Sequence, residues 1–226
     1  MRDRVHRVLA IMAKGPRLGQ VKTRLAPAYP ADAIIALYRA FVEDTIDLGR
    51  SLDVSIVAVC PAADAAMIAE WLPTDVAVLP QRGVGLAAGL VCAFEELCTT
   101  EGRRVVAFNA DSPHVGHAVL ASAFEALITH DVVIGPSEDG GYYLVGATRS
   151  YPLLFDPAVM GKGSACEALL ARTVRLGLTA ARVPARYDVD VPADLLRLER
   201  ELAEDPRRAP RTAAVLARWP IERERV

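Results

Sequence analysis

Val8-Leu9-Ala10-Ile11-Met12-Ala13-Lys14-Gly15-Pro16-Arg17-Leu18-Gly19-Gln20-Val21-Lys22-Thr23-Arg24-Leu25 is the stretch whose reading decides the fold. Its first six residues are apolar and too few for a helix, so they read as a buried strand. The strand breaks into a loop, Lys14 to Pro30, rich in glycine, proline and cations. Beyond it Ile34, Leu37, Tyr38, Phe41, Thr45, Ile46 and Leu48 recur at helical spacing. A strand, a glycine loop and an amphipathic helix in that order open a crossover unit of a parallel sheet.

Outward from there the alternation continues. Val54–Cys60, Val76–Leu79, Arg104–Ala110, Asp131–Gly135 and Tyr142–Gly146 read as further strands, and Ala180–Tyr187 as extended. Helices are expected over Ala62–Trp71, Gly89–Thr100, Val119–Thr129 and around Glu167–Leu176. Another starts at Asp190 or Val191 with Pro192 in its first turn. The expectation is one α/β domain over residues 1–204, with an Arg-rich tail over 205–226 that reads as helical, packed or solvated, its arginines interleaved with acids.

Composition bounds the function. A hydrophobic fraction of 52% over 226 residues suits a globular core, and a net charge of −2 gives no electrostatic reason for a nucleic-acid or anionic-membrane partner. Cys60, Cys92, Cys98 and Cys166 form no C-x-x-C pair, which suits reduced thiols and a cytoplasmic location. The basic start, Met1 to Arg7, precedes an apolar run too short for a signal peptide, and no run is long enough to span a membrane.

Ligands in open α/β sheets gather outside the carboxyl ends of strands, and four motifs fall there. The Lys14–Arg24 loop is not a P-loop, because the G-x-x-x-x-G-K-[ST] spacing is absent. Gly15 and Gly19 would let amides approach a ligand, while Lys14, Arg17, Lys22 and Arg24 would neutralise phosphates. In Asn109-Ala110-Asp111-Ser112-Pro113 the carboxylate is either a hard ligand for Mg²⁺ or Mn²⁺ or an ordinary turn cap, with Ser112 bonding backbone or ligand.

Gly135-Pro136-Ser137-Glu138-Asp139-Gly140-Gly141-Tyr142-Tyr143 reads as a turn that walls an acceptor, and only one of its tyrosines can face the pocket if the segment is a strand. In Asp188-Val189-Asp190-Val191-Pro192, Asp190 caps the next helix, or one of the two aspartates shares a metal with Asp111. His114, His117, His6 and His130 read as structural, and no G-x-S-x-G elbow is present.

The order A-K-x-P-x-x-G-x-V-K-T-R-L, D-S-P, G-P-x-x-D-G-G-Y-Y-L-V-G and D-V-D-x-x-x-D-L resembles a glycosyltransferase-like family close to molybdenum-cofactor and phospholactate guanylyltransferases. One of its subfamilies is labelled arsenosugar-biosynthesis glycosyltransferase. The likeness runs from Val8 to Leu198. It implies a three-layer α/β/α sandwich with a mainly parallel mixed sheet, the nucleotide-diphospho-sugar transferase (glycosyltransferase type A) fold.

By that resemblance Asp111 and Asp190 are the metal pair for Mg²⁺ or Mn²⁺, and Lys14, Lys22 and Arg24 meet the phosphates. Asp139, Gly140 and Gly141 form the acceptor-side turn. The chain departs from the family at Val84-Gly85-Leu86-Ala87-Ala88-Gly89, where an acid and an arginine are missing, and at Lys162-Gly163-Ser164. Gln81, Gly83, Gly85 and Leu86 then remain to shape a base pocket.

The residues expected to carry catalysis are therefore Lys14, Lys22, Asp111 and Asp139. Gly15, Arg17, Gly19 and Arg24 join the donor side, and Ser112, Pro136, Gly140, Gly141 and Tyr142 the acceptor side. The expected substrates are a nucleoside triphosphate or a nucleotide sugar with a small-molecule acceptor. Nucleotidylyl transfer to a phosphate or carboxylate leads. Glycosyl transfer, and a non-catalytic nucleotide-binding protein, are the alternatives. A homo-oligomer is left open.

Overall fold

The computed structural model describes residues 6–161 and 163–220. Seven strands form one sheet: β1 (Arg7–Met12), β2 (Ser55–Pro61), β3 (Ala77–Gln81), β4 (Arg104–Asn109), β5 (Val132–Pro136), β6 (Tyr142–Ala147) and β7 (Ala180–Arg182). Across the sheet they lie in the order β3-β2-β1-β4-β6-β5-β7. β6 is antiparallel to β4 and β5, whereas the other neighbours pair parallel. The connection explains the exception. A tight turn returns β6 directly beside β5, while parallel neighbours need a crossover segment.

The helices are α1 (Ala31–Ser51), α2 (Ala65–Trp71), α3 (Leu86–Leu97), α4 (His117–Ala126), α5 (Ala165–Arg175), α6 (Pro192–Glu204) and α7 (Pro210–Arg218). Alternation along the strands splits the core in two. Leu9, Ile11, Val106 and Phe108 pack with side chains of α1, α2 and α4 on one face. Val8, Ala10, Val105 and Ala107 pack with α3 and α5 on the other. A third cluster joins α1 to α6 and α7 through Leu37, Phe41, Leu198 and Leu216. Burying each of the valine, leucine, isoleucine and phenylalanine side chains among these contributes roughly 1.5–3 kcal/mol.

Three of the boundaries that differ from the sequence reading have a cause in one or two residues. α3 begins at Leu86 instead of Gly89, because Gly83 and Gly85 take φ of 79° and 88° and complete the turn early. α4 ends at Ala126 and tightens through Ile128 N–H to Glu125 and Thr129 N–H to Ala126. The Ala180–Tyr187 segment pairs only over its first three residues, then again at a bridge between Ser137 and Arg186. Pro184 lies between and has no N–H to give the ladder.

In the tail, Leu216 and Thr212 are buried against α1, and Arg211 pairs with Glu43 and Asp47. Residues 221–226 of the tail, and the start of the basic run at Met1, lie outside the described residues. Among the described residues no helix is long and apolar enough to cross a membrane.

Candidate active site

The carboxyl ends of β1 to β4 meet the β5–β6 turn and the 188–190 segment around two adjoining cavities. The larger has a volume of about 630 Å³, within the roughly 300–1,000 Å³ usual for small-molecule sites. The smaller, about 250 Å³, lies beside Gln20, Lys22 and Tyr38. Met12, Lys14, Arg24, Asp111 and Asp190 line both.

At their junction stands Lys22. Its Nζ contacts Asp111 and lies 3.0 Å from Asp190 Oδ1, and its side chain is 4% exposed. The backbone is turned to permit this, with φ 47° and ψ 37°. That left-handed conformation costs a non-glycine residue roughly 1–2 kcal/mol. Burial opposes the charge of Lys22, but Asp111 and Asp190 more than offset it and hold the ammonium above the usual lysine range.

Asp190 is available for this contact because capping falls to another residue. Asp194 Oδ2 accepts from the N–H groups of Asp190 and Val191 and closes the start of α6.

Two carboxylates from different segments therefore converge on one cationic atom. Their side chains are 38% and 41% exposed, so their outer sides face the cavities. Two hard oxygen donors with further positions open to substrate oxygens fit a Mg²⁺ or Mn²⁺ site. Among the described residues no group of three or more His, Cys, Asp or Glu converges to hold a metal.

Asp188 takes the place beside them. Its Oδ1 accepts from Ser112 Oγ at 2.6 Å and Asn109 Nδ2 at 2.8 Å. Burial pushes its carboxyl up to about 6; these two hydrogen bonds pull against that, while the Asp111 and Asp190 charges add to it. Ser112 is fully buried, its Oγ also lying 3.1 Å from Tyr187 O. It thus orients Asp188 and does not face an acceptor, which corrects the sequence reading.

The glycine loop behaves differently from the expectation. Lys14 N–H donates to Tyr38 Oη at 2.7 Å, Gly15 N–H to Asp64 Oδ2 at 2.8 Å, and Arg17 N–H to Gly15 O at 2.8 Å. These amides are spent inside the protein and present nothing to a phosphate. The Arg17 guanidinium is also turned onto the buried Asp64, and Gly15, Arg17 and Gly19 line neither cavity. What lines the cavities is side-chain charge: Lys14 and Arg24 in both, the latter 3.9 Å from Asp190, and Lys22 in the smaller.

Gln81, Gly85 and Leu86 line the larger cavity, and Gly83 does not. Gln81 Nε2 donates to the Gly83 and Gly85 carbonyls at 3.2 Å and so holds the loop's shape. On the other wall are Asp139, Gly141 and Tyr142. Asp139 Oδ1 accepts from Ser137 Oγ and from Gly141 N–H at 2.9 Å; the Ser137 bond foremost holds its carboxyl below the usual range.

Gly140, at φ +88°, packs beneath: a Cβ there would lie 1.9 Å from Gly163 O. Gly140 and Pro136 do not line the cavity, Pro136 being occupied in pairing, its carbonyl accepting from Arg186 N–H. Of the two tyrosines, Tyr142 faces the cavity beside Met160, while Tyr143 is buried and bonds Pro184 O. Lys162 lies outside the described residues.

His114 is buried and stacked on Tyr187 at 4.0 Å, and neither it nor His117 reaches a cavity. Asn109, Asp64 and Tyr38 were missed by the sequence reading. Asn109 carried a signal, since it precedes the D-S-P motif at a strand end. Asp64 and Tyr38 carried none, because their partners lie 49 and 24 residues away.

A family model described as an uncharacterised protein conserved in bacteria (DUF2064) matches residues 48–162. No curated protein matches the chain. Among solved structures, a candidate nucleotide-diphospho-sugar transferase of Desulfovibrio desulfuricans G20 is 29% identical, with a TM-score of 0.85 and 94% of each chain covered.

A nucleotidyl transferase of Methanothermobacter thermautotrophicus is 20% identical, with a TM-score of 0.53 over 88% of this chain and 97% of that one. The 4-diphosphocytidyl-2C-methyl-D-erythritol synthase of Anaerococcus prevotii DSM 20548 is 13% identical, with a TM-score of 0.50 over 87% and 98%. The fold is that of the nucleotide-diphospho-sugar transferases.

Proposed function

We propose that this chain, which belongs to the DUF2064 family of uncharacterised bacterial proteins, is a divalent-metal-dependent transferase that takes a nucleoside triphosphate and joins its nucleotidyl group to a small phosphate- or carboxylate-bearing acceptor. The observation that carries this reading is the convergence of Asp111, Asp190 and Lys22 at the junction of two cavities that also hold Lys14 and Arg24. Three cations around a carboxylate pair suit the charge of a triphosphate.

In this reading Lys14, Lys22 and Arg24 bind and orient the donor phosphates, lowering the repulsion felt by an incoming oxygen anion. Gln81, Gly85 and Leu86 border the base. Asp111 and Asp190 would hold Mg²⁺ or Mn²⁺, which would supply positive charge against the negative charge that develops on the donor phosphates. The acceptor lies along Asp139, Gly141 and Tyr142. Its oxygen forms a bond to the donor α-phosphorus as the bond to the bridging α,β-oxygen breaks, and pyrophosphate leaves. Asp188, Ser112 and Asn109 keep the carboxylate side of the site in place.

A nucleotide sugar as donor is the second reading. It is favoured by the 29% identical Desulfovibrio structure, whose name specifies a nucleotide-diphospho-sugar substrate class. Thermal melting with each common nucleoside triphosphate and several nucleotide sugars, with and without Mg²⁺, separates the two. A ligand at ~100 times its dissociation constant stabilises by ~2.7 kcal/mol. We expect one triphosphate to raise the melting point, and only with metal. A shift by a nucleotide sugar alone selects glycosyl transfer. No shift with any ligand favours a non-catalytic member of the fold.

A further inference from the structure

Lys22 occupies the position that the proposed function gives to a divalent ion. It approaches Asp111 and Asp190 from the protein side, with 4% of its side chain exposed, while both carboxylates open toward the cavities. The chain is built to put it there. Its backbone is left-handed, and its ammonium lies 5.7 Å from the centre of the buried Phe41 ring. An ammonium and a divalent ion on the same two oxygens would stand within a few ångströms of each other and repel. The smaller cavity, about 250 Å³ and lined by Lys14, Gln20 and Arg24 as well as Lys22, offers the ammonium somewhere to go.

We propose that Lys22 is the resident counter-cation of the Asp111–Asp190 pair in the donor-free protein, that it competes with the divalent ion for that pair, and that donor phosphates relieve the competition by drawing the ammonium into the smaller cavity. The proposal rests on the reading of that pair as a metal site. Its consequence is reciprocal: the ion alone binds weakly, and ion and donor each tighten the other by the same factor. Such a site loads metal and donor together and spends little time with a bare ion.

The test is Mn²⁺ binding to the full chain without nucleotide, followed by the electron paramagnetic resonance of the unbound ion. Wild type is compared with Lys22→Met, each with and without Asp111→Asn. We expect Lys22→Met to bind Mn²⁺ at least ~10-fold more tightly, inside the ~5–150-fold span of typical site couplings, and Asp111→Asn to abolish the gain. Equal or weaker binding in Lys22→Met, with dependence on Asp111 retained, overturns the competition and leaves the metal pair standing. Absence of any Asp111-dependent binding in both backgrounds overturns the metal pair and the competition together.

Should Lys22→Met fail to fold, wild type answers alone through the ¹⁵N resonance of the Lys22 ammonium, assigned by its loss in Lys22→Arg. Mg²⁺ should shift that resonance and speed its proton exchange in step with the change in the Asp111 carboxyl ¹³C shift. A Lys22 signal unmoved while the Asp111 carboxyl responds overturns the proposal.

Discussion

Replacing both carboxylates, Asp111→Asn with Asp190→Asn, strands a lysine whose side chain is 4% exposed. Removing the partner of a buried charge costs about 3–5 kcal/mol. Here the departing carboxylates are 38% and 41% exposed, so water already screens part of their attraction. Halving the figure leaves a loss of about 2 kcal/mol, or ~4–8 °C in melting temperature for a domain this long.

Urea unfolding in chelator at pH 7 measures it. Without its acids Lys22 keeps only the burial that lowers its affinity for a proton, so the deficit should shrink as pH rises and the lysine becomes neutral. Adding Lys22→Met to the pair should recover most of the loss. A carboxylate variant within about 0.5 kcal/mol of wild type, the range of ordinary surface changes, would refute the view that Asp111 and Asp190 neutralise a buried ammonium.

Three further outcomes follow from other contacts. Asp44, buried on α1, accepts from Arg211 N–H, Thr212 N–H and Thr212 Oγ and so caps α7 from outside. Asp44→Ala should cost about 2 kcal/mol and expose the C-terminal segment to protease, and a resistant variant would show that α7 is held otherwise. Burial, aided by Arg208, Arg186 and Arg197, lowers His114 to about 3 from an ordinary 6.5. The unfolded chain therefore binds that proton first, and stability is lost as pH falls from about 6.5 toward about 3. Urea midpoints of His114→Phe should fall less steeply between pH 7 and 4, and parallel curves would count against the assignment. Gly140→Ala meets Gly163 O at 1.9 Å at a φ of +88°. It should lose more than the roughly 1–3 kcal/mol of backbone strain alone, together with ligand-induced stabilisation; wild-type melting would show that the turn can open.

Much of the architecture was legible because it depends on local pattern. Six apolar residues at Val8–Ala13 can be a strand and not a helix, and a helix-period run after a glycine loop must return to the sheet. Boundaries slipped where a single residue decided: Gly85 started α3 early, and Pro184 interrupted the last strand. Of the residues that meet at the candidate site, Lys22 and Asp111 were singled out by type and strand-end position, while only the family resemblance chose Asp190 over Asp188. Their mutual arrangement was not legible. The sequence reading set lysine on phosphate and aspartates on metal, whereas the folded chain first pairs lysine with aspartate across 168 residues.

What the sequence by itself determined is which segments are strands, which ends of them carry charge, and hence which edge of the sheet is chemically equipped. Those follow from periodicity and from the conformational limits of glycine and proline, which act within a few residues. Only the tertiary structure decided how the loop amides, Asp64, Ser112, Asp188 and Asp194 are spent, and so which charges remain to face a ligand. Hydrogen bonds and ion pairs are settled by distance in space. A carboxylate takes whichever donor the packing of distant elements brings within about 3 Å, and sequence spacing does not encode that choice.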